Sequence, residues 1–511
     1  MTARDLVEAV LAHGAASPGR VAAVGADDQV LTYGVLADQV RRGAAALVAH
    51  GLGPGDGVLF AVRPSPRAVV AALSVVAAGG VVVVADPGAG EALSSERLAA
   101  ARPVWTMAEP LVHLATSGPL RGLLARRGLA LPDLRAPGLR HVLVGGRWLP
   151  GAPRDARRGA ARRREADGLA PPPARPDATA LVVFTSGTTA APRAVTHSRS
   201  SLAAGLHALL PRLDLVPDDV VHTDQMMIGL PVLVAGATWS FAPVGADGAR
   251  LARTAAERAA TVLYAVTATV DAAAASGALP RTLRLVAMGG APVTPAVVQR
   301  VRDAVPSARV LGVYGLTEAL PVATVDGDEL LAHARVPRAG LLLGRPVQGT
   351  RLEIDGAGEL FVSGPQVSPG YLGGPPLDRV ATGDLVARLP GGRLELRGRA
   401  KDMILRGVTN IYPALVEPLV DRLPGVAASA LVGLPDPRTA DEEVVLVGVP
   451  VQGDGRGLAD DVRRRLPAVL DAAWLPDHVL GEPELPTSGR SAKGDKDARR
   501  ERVSSRLGTV S

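Results

Sequence analysis

Short apolar runs alternate with amphipathic stretches over most of the chain. Four of these runs have the length and composition of β-strands: Val81–Ala85, Ala180–Phe184, Leu283–Ala287 and Ala308–Val313. Such runs are typical of strands that are buried on both faces, and the amphipathic stretches between them have the periodicity of helices that cover a sheet. The pattern therefore predicts an α/β fold of parallel sheets covered by helices.

The segment Ala68–Ala85 resembles a membrane span, because its 18 residues carry no charge. It consists mostly of Ala and Val, however, and Gly79 and Gly80 interrupt it. We interpret it as a buried helix, a glycine turn and a parallel strand at Val81–Ala85. We therefore predict no membrane span here.

The sequence changes character twice. Between Gly145 and Asp177 it becomes rich in arginine and then in proline, as is typical of a solvated loop or linker. From about Gly344, short alternating strands with Gly and Pro turns predict a small β-rich subdomain. We expect a large N-terminal domain at residues 1–401, which holds the parallel sheets and this subdomain, and a small C-terminal α+β domain at residues 402–511.

The composition is that of a folded globular chain, with 511 residues of which 47% are apolar and 21% are charged. Cysteine is absent, which excludes disulfide frameworks, thiolate metal sites and cysteine nucleophiles, and suits a reducing cytoplasm. The N-terminal stretch MTARDLVEAVLAHG carries acidic residues and lacks the apolar core of a signal peptide. We therefore expect a cytoplasmic protein.

Charge and aromatic content argue against a nucleic-acid partner. The formal net charge is only +6, aromatic residues make up 3% of the chain, and the arginine-rich run between Arg154 and Arg164 has no interleaved aromatic residue. Of the 56 basic residues only Lys401, Lys493 and Lys496 are lysine. A lysine retained in a chain so biased toward arginine is a candidate for a chemical role, because the two cations are not interchangeable.

A phosphate-binding loop is suggested by the run VVFTSGTTAAPRAV at Val182–Val195. A buried strand ends there in four hydroxyl residues around one glycine: Thr185, Ser186, Gly187, Thr188 and Thr189. Backbone N–H groups and hydroxyls at such a transition can donate to phosphate oxygens, although the run lacks the Walker pattern. Taken alone, a Ser/Thr-rich surface turn fits the run equally well.

Four further blocks follow this run: MGGAP at Met288–Pro292, VYGLTE at Val313–Glu318, ATGD at Ala381–Asp384, and GRAKDMILRGVTNIYPALVE at Gly398–Glu417. In this order and spacing, the five blocks resemble the adenylate-forming superfamily of acyl-CoA synthetases, luciferases and peptide-synthetase adenylation domains. The resemblance covers essentially the whole chain. It implies activation of a carboxylic acid by ATP to acyl-AMP with release of pyrophosphate, and then transfer to coenzyme A or to the phosphopantetheine of an acyl carrier protein.

The resemblance also implies roles for individual residues. The hydroxyl loop Thr185–Thr189 would bind phosphate, Thr317 the α-phosphate, Glu318 a Mg²⁺ ion, and Asp384 the ribose hydroxyls, with Arg399 on ribose or phosphate. The implied adenine pocket consists of small residues and one aromatic ring: Gly289, Gly290, Ala291, Pro292, Tyr314 and Gly315.

The C-terminal part is implied to be a mobile domain that carries a catalytic lysine. Within LPTSGRSAKGDKDARR, the frame around Lys493 resembles the family's G-K-x-D-R, so that Lys493 would bridge the carboxylate and the α-phosphate. Lys496 is the second candidate, and a solvated basic tail is the alternative. Asp402 matches the hinge, and Gly407 matches the glycine beside which the pantetheine arm passes.

The phosphate loop departs from the family pattern at three positions. Ala190 and Ala194 replace glycines, and Arg193 replaces a lysine. If either glycine position requires a positive φ, alanine costs roughly 1–2 kcal/mol there. Arg193 can still act catalytically as a cation on phosphate. A nucleotide-binding protein with impaired catalysis is therefore one alternative.

The acid itself is indicated only weakly. Met226 and Met227 fall where an acyl chain would lie in the family, and a plain core pair is the other interpretation. The stretches YGLTEALPVATVDGDELL and GLLLGRPVQGT are similar to the β-lactone synthetases of olefin biosynthesis, although that subgroup typically lacks the G-R-x-K-D segment found here. We expect a fatty or β-hydroxy acid, with β-lactone formation as the alternative outcome.

Overall fold

The computed structural model describes most of the chain. The described ranges are 5–84, 91–116, 134, 138–144, 172–184, 193–336, 340–400, 404–406, 409–411, 413–436, 441–453, 457–470, 474–488, 493–494 and 496–507.

The described helices are α1 Leu6–Ala16, α2 Tyr33–Ala49, α3 Pro66–Ala77, α4 Glu91–Ala101, α5 Pro110–Ala115, α6 Arg199–Leu213, α7 Met226–Val234, α8 Gly248–Glu257, α9 Thr267–Ala275, α10 Pro295–Ala304, α11 Gly327–His333, α12 Pro413–Val420, α13 Leu458–Val469 and α14 Lys496–Leu507. Local sequence explains where several of them begin. Ser65 caps α3 and Thr294 caps α10, and in both helices a proline occupies the first turn. None of the helices in these ranges is long and apolar enough to cross a membrane.

The strands of the first half are β1 Val21–Val24, β2 Val30–Thr32, β3 Gly57–Ala61, β4 Val81–Val84, β5 Trp105–Ala108, β6 Arg140–Leu143, β7 Thr179–Phe184, β8 Ala194–Ser198, β9 Val220–Thr223, β10 Thr238–Phe241, β11 Val262–Val266, β12 Leu285–Gly289, β13 Arg309–Leu316 and β14 Ala319–Asp326. Those that follow are β15 Leu341–Pro346, β16 Arg351–Ile354, β17 Glu359–Ser363, β18 Gly370–Tyr371, β19 Val380–Arg388, β20 Leu394–Arg399, β21 Ile404–Arg406, β22 Thr409–Ile411, β23 Val426–Asp436, β24 Asp441–Pro450, β25 His478–Gly481, β26 Thr487–Ser488 and β27 Lys493–Gly494.

Two large sheets organise the part before residue 400. The first has the strand order β16-β17-β19-β20-β15-β14-β13-β12-β11-β9-β10-β1-β2, and the second has the order β18-β8-β7-β4-β3-β5-β6. Buried residues of both sheets and of helices α1, α2, α3, α6 and α7 form one continuous apolar cluster, so these helices lie between the sheets. A second cluster covers the other face of the first sheet, beneath α8, α9 and α10.

The predicted α/β fold is confirmed, with local differences. Residues 68–84 form most of α3, a turn at Gly79 with a φ of +83°, and β4, which pairs in parallel with β3, and Ala85 lies outside the described residues. The other predicted strands appear as β7, β12 and β13. The sheets are mixed rather than wholly parallel, because β7 pairs antiparallel with β8, and β13 pairs antiparallel with β14.

The predicted β-rich region begins at Leu341 and comprises β15, β16, β17, β19 and β20. It is not a detached unit, because β15 pairs with β14 and so joins these strands to the first sheet. Most of the predicted linker between Gly145 and Asp177 lies outside the described residues.

The C-terminal part has its own sheet, β23-β24-β25, with α12 and α13. An apolar cluster there is built only from residues beyond 403, among them Ile404, Val416, Leu446 and Leu466. Contacts to the preceding part include one from the Arg422 side chain to the carbonyl of Ala334, at 3.5 Å.

Candidate active site

A narrow glycine turn follows the carboxyl end of β12. Gly289 pairs with Val313 of β13, and a Cβ atom added to Gly289 would lie 2.7 Å from the Val313 carbonyl oxygen. Gly290 has a φ of +75°, which favours glycine. The Thr267 hydroxyl donates to the Ala291 carbonyl at 3.1 Å and holds the turn. Glycine is therefore needed at both positions, at Gly289 because of the neighbouring strand and at Gly290 because of its φ.

Three strands bring together a tyrosine, an aspartate and an arginine. The Tyr314 hydroxyl donates to Asp384 Oδ2 at 2.5 Å, and Arg399 Nε lies 2.6 Å from Asp384 Oδ1. The strands β19 and β20 place Asp384 directly opposite Arg399. Burial, and then the charge of Asp384, raise the pKa of Tyr314, which therefore remains a hydrogen-bond donor. Asp384 is only 4% exposed, so its carboxylate is a fixed, buried acceptor.

Thr317 and Glu318 lie in the tight connection between β13 and β14. The Glu318 carbonyl accepts a hydrogen bond from the Ser368 N–H at 2.7 Å, and its Oε1 accepts one from the Tyr371 hydroxyl at 3.0 Å. Burial is the main reason why the pKa of Tyr371 is raised. The Glu318 carboxylate is therefore held by a neutral donor beside Thr317.

Arg193 reaches the same region from the second sheet. It directly precedes β8, and its guanidinium carbon lies 5.4 Å from the centroid of the Tyr371 ring. The pairing of β8 with β18 sets Tyr371 opposite Val195. A cation and a carboxylate thus both lie close to one phenol, near the start of β8.

His197 connects β8 with the turn at Thr317. Its Nε2 lies 2.8 Å from the Thr317 carbonyl oxygen, and its Nδ1 lies 3.3 Å from Ser201 Oγ. Burial lowers the pKa of His197, which favours the neutral ring. Because a carbonyl can only accept, Nε2 carries the proton and donates to Thr317. His197 therefore fixes the backbone that carries Thr317.

His197 and Tyr371 are absent from the residues predicted from the sequence. His197 lies on β8 four positions after Arg193, and Tyr371 lies in a Gly/Pro-rich stretch. The position of His197 shortly after the phosphate-loop run is the one available signal. The Tyr371 contact arises only from the long-range pairing of β18 with β8.

The possible strain at Ala194 is not found. Ala194 lies in β8, is buried, and pairs with Phe184, and its φ is not positive. Its methyl group therefore packs in an ordinary strand. Ala190, the whole hydroxyl loop Thr185–Thr189, Asp402 and Gly407 lie outside the described residues. Pro292 and Gly315 lie within them, in the glycine turn and at the end of β13 respectively.

The two candidate lysines lie in the last part of the chain. The backbone of Lys493 forms β27 and pairs with Ser488, and Lys496 begins α14. The structure does not describe the side chain of either residue. Their roles remain a prediction from the resemblance.

Glu318 is the predicted Mg²⁺ ligand, and its surroundings fit a site that substrate phosphates complete. Within the described ranges there is no group of three or more His, Asp and Glu side chains that could hold a metal ion. Mg²⁺ is commonly held by one or two carboxylates together with substrate phosphates, rather than by a cage of protein ligands. Glu318 beside the Thr317 hydroxyl matches that arrangement.

The two methionines lie at the start of α7. Met226 and Met227 are half-buried and pack against the cluster between the sheets. Gly229, on the same helix, lies so close to the Trp239 ring that any side chain would collide with it. The helix is thus held tightly on one side, while the methionines remain partly accessible.

Comparison with known proteins identifies the family of this chain. The family model described as AMP-binding enzyme matches residues 11–372. A salicyl-AMP ligase / salicyl-S-ArCP synthetase of Mycobacterium tuberculosis is 29% identical over 538 residues, covering 92% of this chain and 86% of that protein. An olefin beta-lactone synthetase of Stenotrophomonas maltophilia is 27% identical over 524 residues, covering 93% and 91%.

The fold agrees as well. The structure of the amide bond synthetase McbA from Marinactinospora thermotolerans superposes with a TM-score of 0.79 at 24% identity, and the match covers 98% of this chain and 99% of that one. The chain therefore belongs to the AMP-binding family of adenylate-forming ligases.

Proposed function

We propose that this protein activates a carboxylic acid with ATP, releases pyrophosphate, and transfers the acyl group from acyl-AMP to the thiol of coenzyme A or of a carrier protein. The observation that carries the proposal is the Asp384 carboxylate, held by Tyr314 and Arg399 and buried beside the connection that bears Thr317 and Glu318. One end of this arrangement suits a nucleoside and the other end suits phosphates.

The nucleoside end would bind the adenine and the ribose. Gly289 and Gly290 carry no side chain that would cover their backbone from a flat ring, and Tyr314, which follows the partner of Gly289 on β13, supplies an aromatic surface. The two oxygens of the Asp384 carboxylate are acceptors that suit the two ribose hydroxyls. Such bonds to an ionised acceptor are among the stronger hydrogen bonds in proteins.

The phosphate end would lower the repulsion between reactants. An oxygen of the acid carboxylate attacks the α-phosphorus, a new O–P bond forms, and pyrophosphate leaves with the electron pair of the broken P–O bond. Two like charges 4 Å apart repel by about 1 kcal/mol in water and by about 4 kcal/mol at an effective dielectric constant of 20. Arg193, the Thr317 hydroxyl and Lys493 would supply opposing charge and donors.

Glu318 would hold Mg²⁺, which supplies positive charge to the phosphates when it is bound. The Tyr371 hydroxyl orients the Glu318 carboxylate, since it donates to one of its oxygens. His197 keeps the Thr317 backbone in place. These two residues therefore act through their neighbours.

We infer that residues 402–511 form a separate mobile domain that carries Lys493 and turns about Asp402. The apolar cluster built only from residues beyond 403 supports an independently packed unit. In the second half-reaction a thiolate attacks the acyl carbonyl carbon, and AMP leaves with the electrons of the broken C–O bond. Gly407 would leave space for the pantetheine arm.

A β-lactone synthetase is the second candidate, favoured by the relative from Stenotrophomonas maltophilia that matches over nearly its full length. In that case the hydroxyl of a β-hydroxy acid attacks its own acyl carbonyl, AMP leaves, and the hydroxyl proton passes to a base. The first half-reaction is the same in both cases.

One experiment separates these outcomes. Fatty, β-hydroxy and aryl acids are incubated with ATP and Mg²⁺, with and without coenzyme A, and pyrophosphate, AMP, thioester and lactone are quantified by mass spectrometry. Acid-dependent pyrophosphate release with a thioester supports the primary proposal. A lactone formed without thiol supports the second candidate. ATP binding without acid-dependent pyrophosphate release across the panel refutes both.

A further inference from the structure

The Tyr264 side chain is buried, and its hydroxyl makes no hydrogen bond to another described residue. The residue lies on β11 and is only 7% exposed. Burial alone raises the pKa of this phenol to about 12, without any contribution from a hydrogen bond or a neighbouring charge. The hydroxyl therefore stays protonated and is available to donate.

The other described tyrosines all donate a hydrogen bond within the chain: Tyr33 to the carbonyls of Leu233 and Ala237, Tyr314 to Asp384, and Tyr371 to Glu318. Tyrosine hydroxyls in protein interiors usually find a hydrogen-bond partner. Tyr264 differs from its counterparts, and a bound molecule could supply its missing acceptor.

The Tyr264 hydroxyl lies against the wall of the candidate active site. A Cβ atom added to Gly289 would lie 2.9 Å from it. The Tyr264 ring also belongs to the apolar cluster against which Met226, Met227 and Leu320 pack. The phenol thus lies beside the glycine turn that follows β12, at the border of the apolar cluster that also holds the methionines.

We infer that Tyr264 donates a hydrogen bond to an oxygen atom on the acyl part of the acid, so that the protein selects apolar acids bearing a hydroxyl or carbonyl oxygen. The inference rests on the proposed function, because it concerns the acid of the same reaction. A site with a buried donor rejects an analogue that lacks the acceptor, since the donor is then left unpaired. Tyr264 would determine specificity without taking part in the bond-making steps.

The test compares matched acids that differ by one oxygen: octanoate with 3-hydroxyoctanoate, and benzoate with its 2-, 3- and 4-hydroxy derivatives. Acid-dependent pyrophosphate release gives kcat/KM for the wild type and for Tyr264→Phe. In at least one pair, the wild type should favour the oxygenated acid by about tenfold or more, which corresponds to one well-placed hydrogen bond. Tyr264→Phe should bring this ratio close to one by slowing only the oxygenated acid.

Tyr33→Phe is the matched control, because it removes a buried tyrosine hydroxyl that has partners within the chain. It should lower the Tm and leave the acid preference unchanged. Tyr264→Phe should leave the Tm of the ligand-free protein unchanged or raise it, since no bond within the described chain is lost.

The failure of this inference is distinguishable from failure of the proposed function. Adenylation without a preference for oxygenated acids, or with a preference that persists in Tyr264→Phe, overturns the inference and leaves the function intact. If no acid is adenylated, the change in Tm on adding each of the same acids is measured for the wild type and for Tyr264→Phe. A larger shift with an oxygenated acid that disappears in Tyr264→Phe supports the inference, and equal shifts in both proteins overturn it.

Discussion

Replacing Asp384 with asparagine tests the proposed ribose contact. The substitution keeps the size of the side chain and removes its charge, so hydrogen bonds from the ribose hydroxyls become bonds to a neutral acceptor. Hydrogen bonds to a charged group contribute about 1.5–3 kcal/mol, against about 0.5–1.5 kcal/mol between neutral groups. With two hydroxyls involved, a loss of about 2–3 kcal/mol follows, which is roughly a 30- to 150-fold rise in the KM for ATP where KM reflects binding.

The stability of the fold should change much less than ATP binding. The Arg399 side chain is 55% exposed, so solvent screens its ion pair with Asp384, and such exposed pairs contribute about 0–1 kcal/mol. The Tyr314 hydroxyl keeps an acceptor if the asparagine oxygen faces it. We therefore expect a small change in Tm together with a large change in KM.

The assay compares ATP with 2′-deoxy-ATP and 3′-deoxy-ATP in acid-dependent pyrophosphate release. The wild type should discriminate against both analogues, and Asp384→Asn should discriminate less. Asp219→Asn is a matched control, because Asp219 is also a buried aspartate that is bonded to an arginine, Arg284. Asp219 lies before the amino end of β9, whereas the candidate site lies at the carboxyl ends of the parallel strands. Asp219→Asn should lower the Tm and leave the nucleotide preference unchanged. Equal discrimination by the wild type and Asp384→Asn would refute the ribose assignment.

Three further outcomes follow from the site and its surroundings. Lys493→Ala should slow pyrophosphate exchange by about 10²- to 10³-fold without lowering the Tm, whereas Lys496→Ala should leave the exchange rate unchanged. If Lys496→Ala slows the exchange and Lys493→Ala does not, Lys496 is the catalytic lysine. Tyr371→Phe should lower kcat by about fivefold and raise the Mg²⁺ concentration needed for half-maximal rate, because Glu318 loses a bond worth about 1 kcal/mol; an unchanged Mg²⁺ dependence would contradict this role. His222 has a pKa lowered by burial from 6.5 to about 4, so the folded state stays neutral while the unfolded state takes up a proton below pH 6.5. The free energy of unfolding should therefore decline as the pH falls from about 6.5 to about 4, and it should be lower by about 2 kcal/mol at pH 5. Urea unfolding measures this decline, which should be smaller in His222→Asn.

The sequence allowed much of the fold to be predicted, because the relevant signals are local. The apolar run at Val81–Ala85 and the glycine turn before it specify a buried strand after a helix, whatever the rest of the chain does. The same holds for β7, β12 and β13. The convergence of Tyr314 with Asp384 and Arg399 agrees with the order of the motif blocks, although these residues are far apart along the chain.

What could not be predicted depends on pairing between distant segments. The two-residue strand β18 joins the edge of β8 and thereby brings Tyr371 to Glu318, yet no periodicity marks a strand that short. The position of the Tyr264 hydroxyl beside Gly289 depends likewise on the pairing of β11 with β12. The pairing of β14 with β15 could not be predicted for the same reason, since register across a sheet follows from tertiary contacts.

Arg193, directly before β8, and His197, on β8, belong to the second sheet, whereas Tyr314 lies on the first, and this separation has a consequence for changing the rate of the reaction. A nucleotide that binds as proposed contacts both sheets, and the helices packed between the sheets set the distance that separates them. A bulkier or smaller side chain in this layer of helices would shift Arg193 relative to the proposed ribose site at Asp384 by a fraction of an ångström, because close-packed interiors transmit such changes. Turnover should therefore respond to substitutions at interior positions such as Leu206 or Val232 that touch no reactant, and directed changes of rate could begin there rather than at the reacting groups.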